Sequence, residues 1–192
     1  MIAIVKYNAG NVQSVQNAVA RLGYESIITD DPELLKAADK VIFPGVGEAS
    51  TAMRYLKERD LDQLIPQLKN PVLGICLGMQ LLCVHSEEGN TDCLGVFSNQ
   101  VKRFPATDIV PQMGWNNFSA LDSPLFNGVT IEDDVYFVHS YYADVNENTI
   151  AQSEYILPFS AALQKDNFYA TQFHPEKSAS VGNTILKNFL EL

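Results

Sequence analysis

The chain of 192 residues is long enough for one compact domain, which would bury roughly 70% of its unfolded surface. With 46% hydrophobic and 19% charged residues it lies near globular averages, which excludes fibrous and disordered classes. Lys and Arg number 13 against 23 Asp and Glu, a net charge of -10, and that sign opposes the counterion release on which nucleic-acid binding depends. No nucleic acid is expected as a partner. The longest apolar stretch, Val72 to Val84, is interrupted by Gln80 and is too short to span a bilayer, and the N-terminus lacks a basic region followed by an apolar one. A soluble cytoplasmic protein with no membrane partner is expected. The cysteines Cys76, Cys83 and Cys93 are odd in number and form no CxxC pair, which argues against a disulfide framework and against a zinc site.

Along the chain, strand-like and helix-like segments first alternate. Ile2 to Val5 is a short apolar run that leads through Ala9-Gly10-Asn11 into a stretch with Val12, Val15, Val19 and Leu22 at helical spacing, closed by Gly23. Ile27-Ile28 is a second strand core, Asp31-Pro32-Glu33 opens a helix with proline in its first turn, and Val41-Ile42-Phe43 is a third strand. A Pro44-Gly45-Val46-Gly47 loop precedes a helix with Ala49, Met53 and Leu56 on one side. Val72 to Ile75 is a fourth strand and Leu77 to His85 the following helix. This alternation predicts an α/β fold with a mainly parallel central sheet flanked by helices. Beyond about residue 93 the texture turns β-rich: Gly95 to Phe104, Val135 to Tyr142, and the pair Ser160 to Gln164 and Phe168 to Phe173 joined by Lys165-Asp166-Asn167. A last helix is expected over Gly182 to Leu192. Nothing divides residues 1–192, which read as one domain.

Gly74-Ile75-Cys76-Leu77-Gly78, at the junction of an apolar strand and a helix, has the form of the nucleophile elbow G-x-S-x-G with cysteine for serine. So sharp a turn crowds its neighbours and demands small residues on both sides, and it sets the thiol at a helix N-terminus, where the dipole favours thiolate. Cys83 and Cys93 read as ordinary buried cysteines. Of the three histidines, His85 reads as a solvated helix cap and His139 as structural or pocket-lining. His174 follows an alternating strand and precedes Pro175, which stops that strand, and Glu176 can reach the same side and orient its ring. The glycines of residues 44–47 allow a backbone N–H to turn toward a neighbouring site and, with the Leu77 amide, to make an oxyanion hole; on local evidence a simple tight turn is as good a reading.

Taken together, Cys76 in its elbow, the loop at 44–47 and His174-x-Glu176 resemble the class I, triad-type glutamine amidotransferases over the whole chain. Gly74 to Leu82 with Ser86-Glu87-Glu88-Gly89, Pro111 to Asn116, Tyr136 to Tyr141 and Gln172 to Ser178 are similar to the glutaminase branch that serves imidazole glycerol phosphate synthase. Relatives serving anthranilate, carbamoyl phosphate or GMP synthesis usually carry a G-G-P type loop where this chain has Pro44-Gly45-Val46-Gly47.

The resemblance implies a flavodoxin-like fold, no cofactor and no metal, and L-glutamine as substrate. It implies Cys76 as nucleophile, His174 as acid and base, and Glu176 as its orienter. Val46, Gly47 and Leu77 would form the oxyanion hole, and Gln80, Glu88, Ser140 and Tyr141 would contact glutamine, with Glu88 facing its ammonium. Only one helix follows Ser178, so the ammonia is expected to be consumed by a second protein, which the resemblance identifies as a (β/α)₈ cyclase forming a heterodimer with this chain. Many members of the family carry histidine where Gln112 stands, a departure expected to touch only polar contacts near the partner; nothing is drawn from Glu48. Met113 and Trp115, in a segment rich in turn formers rather than in a strand or helix core, would face the cyclase, the competing reading being a tryptophan buried against the sheet.

Overall fold

The computed structural model describes residues 1–8 and 10–192; Ala9, in the expected first turn, lies outside the described residues. The elements run β1 (Ile2–Val5), α1 (Val12–Arg21), β2 (Ser26–Thr29), α2 (Pro32–Ala37), β3 (Lys40–Phe43), α3 (Ala49–Lys57), α4 (Leu61–Leu64), β4 (Val72–Ile75) and α5 (Leu77–Leu82). They continue with β5 (His85–Ser86), β6 (Thr91–Asp92), β7 (Gln100–Arg103), β8 (Gln112–Asn116), β9 (Ala120–Leu121), β10 (Val135–His139) and β11 (Tyr141–Ala143). Last come β12 (Thr149–Tyr155), β13 (Leu157–Lys165), β14 (Phe168–Thr171) and α6 (Ala179–Glu191).

Eight strands form the central sheet in the order β2-β1-β3-β4-β14-β13-β12-β9. The first five run parallel and the rest antiparallel. Strands β1, β3 and β4 are wholly buried, and their side chains alternate between two cores, one on each face. Val41 and Phe43 of β3 join Leu56, Leu61 and Phe97 on one side, while Ile42 joins Val15, Val19, Phe137, Phe159 and Phe189 on the other. Helix starts follow local chemistry. Asp31 caps α2 by accepting from the Glu33 and Leu34 amides, with Pro32 in the first turn. Glu48, from which the sequence suggested nothing, caps α3 through the Ser50 and Thr51 amides; bonds to the two hydroxyls and then to the two amides outweigh partial burial and hold its carboxyl at about 2. Among the described residues, no helix is long and apolar enough to cross a membrane.

The α/β architecture and its β-rich second half stand as expected, with four local differences. The helix after Cys76 stops at Leu82, because the Leu81, Leu82 and Cys83 carbonyls accept from the amides of Leu94, Phe97 and Gly95 instead of from a further turn. His85 is therefore not a helix cap but a strand residue, its Nδ1 3.0 Å from Asp92 Oδ1. The expected strand Val135 to Tyr142 is two strands in different sheets, divided at Ser140. Residues 112–116, expected to lie outside regular strand, pair antiparallel with β10, Gln112 opposite His139 and Trp115 opposite Tyr136; the partner strand overrides a poor local propensity. The last helix begins at Ala179, one turn early.

Candidate active site

The site is assembled where β4 and β14 lie side by side, with Gly74 opposite Ala170 and Ile75 opposite Thr171. Each strand ends in a residue of interest. Cys76 turns the chain from β4 into α5 at φ 53°, ψ −107°, a region that costs a non-glycine residue of order 1–3 kcal/mol. Its amide is tied to the Thr171 carbonyl at 2.7 Å. The turn closes only because position 78 has no side chain: a Cβ there would lie 1.8 Å from the Phe43 carbonyl oxygen. His174 follows β14, and its amide donates to the Tyr136 carbonyl at 2.9 Å. Pro175 opens a short 3₁₀ turn that brings Glu176 back beneath the imidazole.

The structure thus brings Cys76, His174 and Glu176 together. His174 Nδ1 lies 2.8 Å from Glu176 Oε1, and both side chains are fully enclosed. His174 Nε2 has no hydrogen-bond partner among the described residues. Burial works against a charged ring here, but neighbouring Cys76, and then the Glu176 carboxylate, outweigh it and hold the His174 imidazolium up to about 10. The arrangement stores a proton beside a thiol and orients the ring that carries it.

A cavity of about 270 Å³ opens over Cys76, and Val46, Gly47, Leu77, Gln80, Glu88, Ser140 and Tyr141 all line it. Several of these are engaged within the protein. The Leu77 amide donates to the Gly45 carbonyl at 3.2 Å, and the Gln80 amide nitrogen donates to the Tyr141 carbonyl and to Gln172 Oε1, each at 2.9 Å. Glu88 accepts from the Ala49 amide at 2.8 Å, and burial, opposed by that bond but aided by the charge of Glu48, raises its carboxyl. A cation held against it would reverse the burial effect. Tyr7, buried beneath the loop, donates its hydroxyl to the Pro44 carbonyl at 2.5 Å. A Cβ on Gly45 would lie 1.8 Å from that hydroxyl oxygen, so the loop needs glycine there for contact. At Gly47 the requirement is the backbone itself, φ 136°.

His139 lines the cavity wall as expected. Its Nδ1 lies 2.7 Å from the Tyr141 carbonyl and its Nε2 2.9 Å from Gln112 Oε1; burial drives the ring down to about 4, so it stays neutral at physiological pH. Gln112, expected only to bear on polar contacts near the partner, is buried against His139. Met113 and Trp115 do face outward, 66% and 55% exposed, with Ile109 nearby in sequence at 76%. The buried-tryptophan reading is therefore incorrect: the Trp115 ring only leans edge-on against Tyr136 at 5.8 Å.

Two neighbours escaped sequence reasoning as site residues. Asn11, at the head of α1, makes no capping bond with its side chain; instead its amide donates to Glu176 Oε1 from 165 residues away. Gln172 directs its side-chain nitrogen to Cys76 Sγ at 3.7 Å. No local spacing signals the first. The second stands two residues before His174, just past the end of β14, a period-2 relation that could have marked it.

A profile of the family described as glutamine amidotransferase class-I matches residues 3–192. The chain is 63% identical over 194 residues to the imidazole glycerol phosphate synthase subunit HisH of Bacteroides fragilis (strain YCH46), covering 100% of this chain and 99% of that one. It is 48% identical over 192 residues to the subunit of the same name from Haemophilus influenzae (strain Rd), covering 99% and 96%. In fold it is similar to a crystal structure of a glutamine amidotransferase, with TM-score 0.76 at 19% identity over 100% of this chain and 98% of that one. PurLQS from Thermotoga maritima gives 0.73 at 15% identity over 99% and 97%.

Proposed function

The chain belongs to the class I glutamine amidotransferases, and we propose that it is the glutaminase subunit of an imidazole glycerol phosphate synthase. It hydrolyses L-glutamine to glutamate and ammonia and passes the ammonia to a separate (β/α)₈ cyclase subunit, which makes imidazole glycerol phosphate and aminoimidazole carboxamide ribotide in histidine biosynthesis. The reading makes it a cytoplasmic enzyme acting in a heterodimer, without cofactor or metal. The observation that carries it is the buried His174–Glu176 pair set against Cys76 at the end of the adjacent strand.

The mechanism follows from that pair. Glutamine enters the cavity with its α-ammonium against Glu88, whose carboxyl, raised by burial, is lowered again by the positive charge. Ser140 and Tyr141 line the same cavity. The Cys76 thiolate attacks the side-chain amide carbon, forming a C–S bond. The C–N bond then breaks as His174 gives its proton to the departing ammonia. Water, deprotonated by His174, attacks the thioester; the C–S bond breaks, glutamate leaves, and the thiolate–imidazolium pair is restored. Glu176 keeps the ring oriented through both half-reactions.

Amides of Val46 or Gly47 and of Leu77 hold the developing oxyanion. Because the Leu77 N–H is bonded to the Gly45 carbonyl, the loop must move before this donor is free, and one such donor contributes on the order of 10²- to 10³-fold. Occupation of the cyclase by its own substrate is the event that moves it. The exposed Met113 and Trp115, on the strand paired with the one that carries the cavity-lining Val138 and His139, form the docking face.

The test is Cys76→Ala in the assembled complex. Glutamine-dependent turnover falls by on the order of 10⁶, as for other nucleophile deletions, while turnover with added ammonium salts persists. Glutamine-dependent activity near wild type would overturn the assignment.

A further inference from the structure

Three side chains link the substrate cavity to the nucleophile in a single file. The Gln80 amide nitrogen donates to the Tyr141 carbonyl and to Gln172 Oε1, and the Gln172 amide nitrogen points at Cys76 Sγ, 3.7 Å away. The direction of the file is fixed by its far end. A backbone carbonyl can only accept, so the Gln80 group facing Tyr141 must be its NH₂, with one hydrogen for Tyr141 and the other for Gln172. The Gln172 atom that accepts it must be oxygen. Its NH₂ is thereby left facing sulfur, and no choice between amide orientations remains.

We infer that Gln172 is a further catalytic residue of this site, a hydrogen-bond donor to the Cys76 sulfur in addition to the neighbouring His174 ring, with Gln80 as the positioning residue that aims it. Gln172 is fully buried, and its side-chain nitrogen has no other hydrogen-bond partner among the described residues. A neutral thiol is a weak acceptor and a thiolate a strong one, so a buried N–H committed to sulfur is best satisfied in the charged state. That is preorganisation for the nucleophile before attack. It serves the same atom again when the thioester C–S bond breaks and sulfur leaves with the electron pair. At that point His174 has just taken the proton from water, and both donors face the sulfur together.

The inference rests on the glutaminase reading, yet the property it concerns can be measured without turnover. In the full chain, the rate of iodoacetamide alkylation at Cys76 is followed against pH by mass spectrometry, which separates it from Cys83 and Cys93. Gln172→Met keeps the length and removes both donors and acceptor; its alkylation midpoint rises by about one unit. In the complex its kcat/KM for glutamine falls about tenfold or more. Gln172→Glu keeps the bond from Gln80 but presents a carboxylate oxygen to sulfur, and its midpoint rises further than that of the Met variant. The Glu variant preserves the packing and carries the test if the Met variant does not fold. Midpoints equal to wild type in either folded variant overturn the inference. A wild-type complex that does not hydrolyse glutamine overturns the glutaminase reading instead, while the alkylation series still decides the role of Gln172.

Discussion

Replacing Glu176 with Gln keeps the shape and the acceptor beside His174 and deletes one buried charge. Asn11 and His174 both bond to Oε1, an atom the new amide still supplies, so the change is mainly electrostatic. A hydrogen bond to an ionised acceptor contributes about 1.5–3 kcal/mol and one to a neutral acceptor about 0.5–1.5, a difference of about one pKa unit. The His174 imidazolium therefore falls from about 10 to about 9. Since the imidazolium must protonate departing ammonia, activity is lost as pH rises through this value. A lowered value moves the alkaline limb toward neutrality. The assay is kcat/KM for glutamine in the complex across the neutral and alkaline range. The variant tracks wild type near neutrality to within about tenfold and falls about tenfold further behind above both limbs, whereas His174→Ala is far more damaging throughout. An alkaline limb that does not move, or a Glu176→Gln variant as inactive as Cys76→Ala, would refute the orienting role.

Trp115→Ala, at a side chain 55% exposed, leaves the melting temperature of the isolated subunit nearly unchanged. Titration with the cyclase shows a loss of about 2 kcal/mol or more in association, roughly 30-fold; a large fall in melting temperature with unchanged affinity would remove it from the interface. Glu48→Ala deletes the α3 cap and costs about 1 kcal/mol at neutral pH. With the folded-state value depressed to about 2 from the ordinary 4.5, this contribution is present above the unfolded value and is lost as pH falls through the folded one. Chemical denaturation shows the two proteins converging in strong acid.

The parallel half of the sheet was legible because its strands are apolar runs buried on both faces, separated by helices with clear caps such as Asp31 and Pro32. The nucleophile was legible because Gly74, Cys76 and Gly78 encode a local steric demand. What escaped depends on partners far away in the chain. Residues 112–116 become a strand only beside Val135 to His139, and α5 stops at Leu82 only because residues 94–97 supply its last donors. The contact of Gln112 with His139 escaped because nothing in its neighbourhood announces the ring across the strand pair. Asn11 and Tyr7, at the start of the chain, meet Glu176 and Pro44 by topology alone.

The last strand in sequence, β14, occupies an interior position, between β4 and β13. During synthesis the first four strands and their helices can pair as they emerge, but the gap beside β4 stays open until residues 168–171 have been made. Cys76, the proposed nucleophile, then waits almost a hundred residues for His174. Insertion of one late strand joins the two halves of the sheet and delivers His174 and Glu176 in the same event. In the proposed mechanism, competence for catalysis and closure of the sheet are therefore a single transition, and a nascent or truncated chain ending before β14 would carry the thiol with neither acid nor orienter.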